Sequence, residues 1–180
     1  MDLTQYNGVT EMDKALKRTG VPDNNDLDAV YPSRKRLCKG AVAVLECFQN
    51  IPCNPCATCC PRQAIKAFHD INDLPVIDWD KCNGCAICVA NCPGLAIFVI
   101  DENYSPTEAL LKLPYEFVPL PRAGDAVQAL NRAGEVICAG RIVRVQNPPS
   151  FDRTAVVHIA VPKELAQEVR FFSLGGAADE

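Results

Sequence analysis

Apolar residues in this chain come in short runs broken by glycine, proline and polar clusters. Ala41-Val-Ala-Val-Leu45, Leu74-Pro-Val-Ile-Asp-Trp79 and Ile97-Phe-Val-Ile100 are rich in β-branched residues and predict short strands. In the second half, Gly124 to Val145 predicts a hairpin about Asn131–Gly134 and a second bend at Ala139-Gly140. Thr154 to Val161 predicts one more strand. Helical patterning is confined to the flanks. Thr10 to Arg18 is rich in helix formers, with Thr10 placed as a cap and Asp13 three residues on. Pro162 to Arg170 starts on a proline and sets Leu165 and Val169 four apart on one face. Ser105-Pro-Thr-Glu108 has the form of a capping box, but Pro114 cuts any helix short, so this stretch reads either as a short helix or as an extended linker.

These patterns divide the 180 residues into an N-terminal extension (1–33), a central unit (34–101), a linker (102–115), a small β-rich module (116–172) and a tail (173–180). The extension reads as a mobile arm or as a segment ordered against a partner. Gly20-Val-Pro-Asp-Asn-Asn-Asp26 within it is turn chemistry. Arg34-Lys-Arg36 and Lys39 form a basic run, read as a solvated face or as a docking patch.

The chemistry lies in the cysteines. The chain has 11, and eight of them fall into two copies of one pattern between positions 47 and 92. The second copy is Cys82-x₂-Cys85-x₂-Cys88-x₃-Cys92-Pro93, and the first is Cys47-x₅-Cys53-x₂-Cys56-x₃-Cys60-Pro61. A shift of 32 residues carries Cys53, Cys56, Cys60, Pro61, Ala64 and Ile65 onto Cys85, Cys88, Cys92, Pro93, Ala96 and Ile97. Only the leading cysteine breaks the register. Asn50 stands where Cys82 would map, and the cysteine comes three residues earlier, at Cys47. The loop Phe48-Gln-Asn-Ile-Pro52 is thus a lengthened ligand loop.

Residues from about Ala41 to Asp101 resemble a bacterial-type dicluster ferredoxin domain, whose C-x₂-C-x₂-C-x₃-C-P run sends its fourth cysteine to the other cluster. The resemblance implies an α+β, dicluster ferredoxin-like fold with two short helices, here with an N-terminal extension and a C-terminal small β-rich module. It implies two [4Fe–4S] clusters as cofactors. Cluster I would take Cys82, Cys85, Cys88 and Cys60, and cluster II would take Cys47, Cys53, Cys56 and Cys92. Closely spaced cysteines can curl round one face of a cluster, whereas a fourth that opens a segment pointing away serves its neighbour. Cys59 competes with Cys60 for one ligand position, at the cost of the Cys-Pro junction. Trp79, close to Cys82, is expected to pack over a cluster and shield it from water. Cys38 and Cys138 stand alone and read as buried hydrophobes.

Two other uses of cysteine fit less well. Zinc ribbons use paired C-x₂-C knuckles but need neither a third cysteine two residues on nor a terminal Cys-Pro. A disulfide framework belongs to secreted chains, and Met-Asp-Leu-Thr-Gln has no basic start and no apolar stretch of a secretion signal. The expected location is cytoplasmic. A net charge of −4 gives no nucleic-acid footprint, and no run of apolar residues is long enough for a membrane span.

The β-rich module offers no catalytic constellation. Its one histidine, His158, falls in a strand and reads as structural or surface-borne rather than as a base. There is no glycine-rich dinucleotide fingerprint and no P-loop. The chain therefore reads as a non-catalytic electron-transfer subunit that relays single electrons between a partner flavin and an acceptor. Lys39-Gly-Ala-Val-Ala-Val-Leu-Glu-Cys47 and Ile51-Pro-Cys-Asn-Pro-Cys56 resemble the ferredoxin-like subunits of bacterial flavin-dependent amine or amino-acid dehydrogenases of the proline and hydroxyproline type. That resemblance implies flavoprotein dehydrogenase subunits as partners. A free-standing ferredoxin-like shuttle is the first alternative, and an iron–sulfur redox sensor or scaffold the second.

Overall fold

Alternation along the first strands shows how one chain covers two faces of a sheet. In the computed structural model, which describes residues 12–175, β1 (Val42–Leu45) pairs antiparallel with β2 (Ile97–Asp101). Val42, Val44, Phe98 and Ile100 enter one core, together with Leu111, Leu113, Ile142, Ile159 and Phe172. Ala43, Leu45, Ile97 and Val99 enter a second core on the opposite face, with Cys56, Ile65, Cys88 and Val89. Burial on both faces explains why these strands are continuously apolar rather than alternating.

The remaining strands are β3 (Glu108–Tyr115), β4 (Ala126–Leu130), β5 (Val136–Gln146), β6 (Ala155–Pro162) and β7 (Phe171–Leu174). With β1 and β2 they make one seven-stranded antiparallel sheet in the order β1-β2-β3-β6-β5-β4-β7. This revises the division read from the sequence. From Glu108 the expected linker is a strand in the middle of the sheet, paired with β2 on one side and β6 on the other. Pro114 is accommodated because it sits near the strand's end, opposite Val156. The β-rich residues from 116 onward continue the same sheet.

The sheet curls strongly. β3 and β7 are four strand positions apart, roughly 19 Å across a flat sheet. Yet Tyr115 of β3 stacks on Phe172 of β7, with centroids 5.3 Å apart. Register shifts in β5 between Ile142 and Arg144, and in β4 between Ala129 and Leu130, supply local twist. The hairpin about Asn131–Gly134 forms as expected, with Gly134 at φ 84°. The second bend does not form, because β5 runs through Ala139-Gly140. Gly140 instead permits close packing: a Cβ there would lie 3.3 Å from Ala160 O and the Val127 and Val161 side chains.

The helices are short: α1 (Met12–Thr19), α2 (Asn24–Val30), α3 (Arg34–Leu37), α4 (Pro55–Thr58) and α5 (Ile87–Ala90). The expected cap at Thr10 lies outside the described residues. α2 is closed by a capping box between Asp23 and Asp26. The extension beyond it is tied down, since Tyr31 packs on Phe98 and its hydroxyl donates to Gln167 O at 3.2 Å. The helix expected over 162–170 reduces to a 3-10 turn at Lys163–Leu165, because β6 continues to Pro162. Ser173 and Leu174, expected in the tail, belong to β7, and residues 176–180 lie outside the described part. Among the described residues no helix is long and apolar enough to cross a membrane.

Candidate metal centres

The 32-residue repeat seen in the cysteines extends to the backbone. α4 maps onto α5 residue for residue, and the two helices touch. Gln63 and Leu95, one repeat apart, both adopt positive φ, 49° and 51°. Each donates its amide to the carbonyl of the preceding Cys-Pro cysteine, Gln63 to Cys60 and Leu95 to Cys92, both at 3.1 Å. One residue on, Ala64 N donates to Cys60 Sγ at 3.3 Å and Ala96 N to Cys92 Sγ at 3.4 Å. Ile65 then pairs with Ile77, as Ile97 pairs with Leu45. The repeat therefore builds two equivalent turns, each aiming amides at a sulfur.

These turns wall two spaces. The first is lined by Cys60, Cys82, Cys85 and Cys88, with Ala43, Ile65, Ile77 and Gly84 among its other walls. The second is lined by Cys47, Cys53, Cys56 and Cys92, with Ile51, Phe68 and Ile97 among its other walls. Each space takes three cysteines from one copy of the motif and the Cys-Pro cysteine from the other. Cys59 lines neither; its thiol lies 3.6 Å from Cys56 O. Among the described residues no three or more His, Cys, Asp or Glu side chains converge on a single ion position. The thiols ring a volume rather than a point. A mononuclear tetrahedral site with metal–sulfur bonds of ~2.3 Å needs its sulfurs within about 3.8 Å of each other.

Burial and crowding raise three of these thiols. Cys56 is pushed up to about 12, first by desolvation and then by the neighbouring Cys92. Cys88 is raised further, by desolvation and then by Cys82, Cys59, Cys85 and Cys60. Cys47 rises for the same reasons, with Cys92 and Cys53 beside it. Cys60 goes the other way: burial pushes it up, but the amides of Ile65, Ala64, Arg62 and Gln63 outweigh that and lower it. Metal binding to a raised thiol would release its proton, and so would strengthen as pH rises.

The loop between Cys82 and Cys85 is the most tightly held part of the site. Gly84 has φ +65°, and a Cβ there would meet Ala41 Cβ at 2.5 Å, so only glycine fits. Ala43 N and Gly84 N point at Cys82 Sγ, at 3.4 and 3.5 Å. Arg36 is buried and donates to Trp79 O at 2.7 Å, Gly40 O at 3.0 Å, Ala41 O at 3.2 Å and Cys82 O at 2.7 Å. The basic run thus contributes one structural clamp where the sequence read as a solvated or docking face. Lys112 of β3 donates to Gly84 O at 2.6 Å.

Beside the second space the device is different. Glu46, next to Cys47, is buried and receives Arg132 and Arg170 from the far half of the chain. Arg170 also donates to Leu95 O at 3.1 Å and lies over the Phe98 ring at 4.4 Å. Arg132 also donates to the Tyr31 hydroxyl at 3.0 Å. Their pairing across 86 and 124 residues left no signal in the sequence. Trp79 lines neither space; it packs against the first core, and its indole Nε1 is buried without a partner among the described residues. Cys38 caps α3 at the surface rather than being buried, and Cys138 is partly buried in β5. His158 is buried in β6 against Gln146, at 2.8 Å, a structural setting in line with the expectation.

Two repeated cysteine turns around paired thiol-lined spaces define an iron–sulfur protein of the ferredoxin type. Residues 75–98 match the family model of the 4Fe-4S binding domain. The chain is 38% identical over 56 residues to the ferredoxin-type protein NapF of Haemophilus influenzae, covering 30% of this chain and 32% of that protein. It is 37% identical over 60 residues to the pyruvate synthase subunit PorD of Methanocaldococcus jannaschii, covering 33% of this chain and 67% of that protein. The chain belongs to the ferredoxin-type 4Fe–4S proteins through this segment. It spans about a third of NapF's length and two thirds of PorD's. No solved structure matches it.

Proposed function

We propose that the chain is a cytoplasmic electron-transfer subunit holding two [4Fe–4S] clusters within a multisubunit flavin-dependent oxidoreductase. One observation carries the number: two separate spaces, each with four cysteines at its wall. The reading gives the first cluster Cys60, Cys82, Cys85 and Cys88, and the second Cys47, Cys53, Cys56 and Cys92. Bound there, such clusters supply uptake and release of single electrons. The chain's own residues hold and insulate them. Backbone amides at Ala43, Gly84, Ala64 and Ala96 point at ligand sulfurs, and apolar side chains from both motif copies keep water off.

The subunit reading rests on surface and on relatives. Ile51, Ile71, Leu74 and Val76 are exposed, and Ile51 also lines the second space. Phe117 and Val118 are exposed elsewhere, Val118 to 90%. Exposed apolar residues of this kind suit contact with other subunits. PorD is by name a subunit of pyruvate synthase.

The test is composition. Anaerobically purified protein should hold about eight irons and eight acid-labile sulfides, the sum of two cubanes. Purified from its native host, it should bring flavin-containing subunits with it. Four irons would reduce the reading to one cluster. A monodisperse chain with eight irons and no bound flavoprotein would favour a free shuttle.

A further inference from the structure

An interior strand of the sheet, β3, sends one cation into the Cys82–Cys85 loop. Lys112 lies in β3, opposite Val99 of β2 and His158 of β6. Its neighbours Leu111 and Leu113 are fully buried. The Lys112 ammonium does not turn to solvent but donates to Gly84 O at 2.6 Å. Gly84 is a wall of the first space and stands between two of its cysteines.

We propose that Lys112 is a positioning residue that selectively raises the reduction potential of the first site, the one walled by Cys60, Cys82, Cys85 and Cys88. This rests on the two-cluster reading above. A half-buried cation held by a neutral carbonyl keeps its full charge near the site. Added negative charge is then stabilised in surroundings of low dielectric, where fixed charge and hydrogen bonding set the potentials of such centres. Other charges share its field. Asp101 opposes it and the exposed Arg144 reinforces it, while His158 and Gln146 occupy the adjoining strands. Arg36 adds a second cation at Cys82 O, and among the described residues its guanidinium donates to carbonyl oxygens. Beside the second site, by contrast, two arginines share the carboxylate of Glu46. Lys112 also gives β3 a role at the site, although the strand lies outside the cysteine-bearing segment.

The experiment is a potentiometric titration of the full-length, anaerobically purified protein, followed by electron paramagnetic resonance. The midpoint of the first site is identified as the one lost in Cys85→Ser. Lys112→Gln keeps a donor for Gly84 O and removes the charge. Its iron and sulfide should match the wild type. The first midpoint should move negative, so that at the wild-type midpoint the reduced-to-oxidised ratio falls about tenfold, ~59 mV for a one-electron couple. The second midpoint should stay in place, and Lys112→Arg should restore the first. Unchanged midpoints, equal shifts of both, or an arginine variant no better than the glutamine one would overturn the proposal. If Lys112→Gln lost iron, Arg144→Gln would carry the test. It should lower the same midpoint by a smaller amount, and no shift there would overturn the proposal equally. Wild-type protein with far fewer than eight irons would strike instead at the two-cluster reading.

Discussion

The two cysteine-lined spaces share their trailing turns and differ at their leading cysteines. Cys60 and Cys92 open equivalent turns, with a positive-φ residue, an amide-to-sulfur contact and a β pairing at matching positions one repeat apart. The leading ends diverge. Cys82 sits in a short loop that needs Gly84 and is clamped by Arg36 and Lys112. Cys47 opens a longer loop, whose Asn50 side chain donates to Asn72 O and whose Cys53 amide donates to Ile71 O. That loop leaves Ile51 exposed, and its anchor is a buried carboxylate rather than cations on carbonyls. The difference teaches that the repeat builds the thiol geometry, while the rest of the fold sets the charge and access around each site.

The largest test removes the rest of the fold. A chain ending after Tyr115 would lack β4 to β7. It would leave β3 as an edge strand with Leu111 and Leu113 uncovered, and would strip Glu46 of both arginines. The sequence reading set the cysteine-bearing unit, 34–101, apart from the β-rich module. The single sheet argues the opposite: such a fragment should be insoluble or retain almost no iron. A soluble fragment with a full complement would make the shared sheet irrelevant to the sites.

Next in size comes the exchange of cysteines between motif copies. On the two-cluster reading, Cys60→Ser should cost about half the iron, four of eight, from the site that otherwise belongs to the second copy. Cys92→Ser should cost the other half. Cys59→Ser should leave iron and sulfide near wild type, since Cys59 lines neither space. Iron analysis with spectroscopy of the remaining centre decides it. Loss of iron in Cys59→Ser and retention in Cys60→Ser would reverse the assignment.

What the sequence made legible follows from where the information is local. β1, β2, the hairpin at Asn131–Gly134 and the strand after Thr154 could be read from runs and turn residues, because neighbours in sequence determine them. The repeat was legible too, since cysteine spacing marks the turns that both copies build. The role of Glu108–Tyr115 was not, because Pro114 and the alternation of β3 take their meaning from β2 and β6, one of them far along the chain. Arg36, Lys112, Arg132 and Arg170 escaped for the same reason. A charged residue shows in the sequence as polar, and only the fold turns it inward. Trp79 shows the limit of proximity: three residues from Cys82, it packs against the first core and lines neither space.

The smallest effect sharpens the contrast between the leading ends. Glu46 carries the pairing of Arg132 and Arg170, and its own amide donates to Ala96 O at 2.9 Å. Glu46→Gln keeps the shape and one acceptor but leaves two largely buried guanidiniums with no carboxylate between them. Breaking a buried ion pair from one side costs about 3–5 kcal/mol. In a chain of this size that corresponds to a melting temperature lower by roughly 6–20 °C. The loss should not fall evenly. Glu46 precedes Cys47, and Arg170 also holds the carbonyl of Leu95, three residues beyond Cys92. Both cysteines line the second space, whereas the first is braced by Arg36 and Lys112, which Glu46 does not touch. Iron should therefore leave the second site first when the variant is warmed or exposed to a chelator, with the first site's signal outlasting it. A variant that melts with the wild type, or that loses the first site sooner, would show that the buried carboxylate does not anchor the leading end of the Cys47 loop.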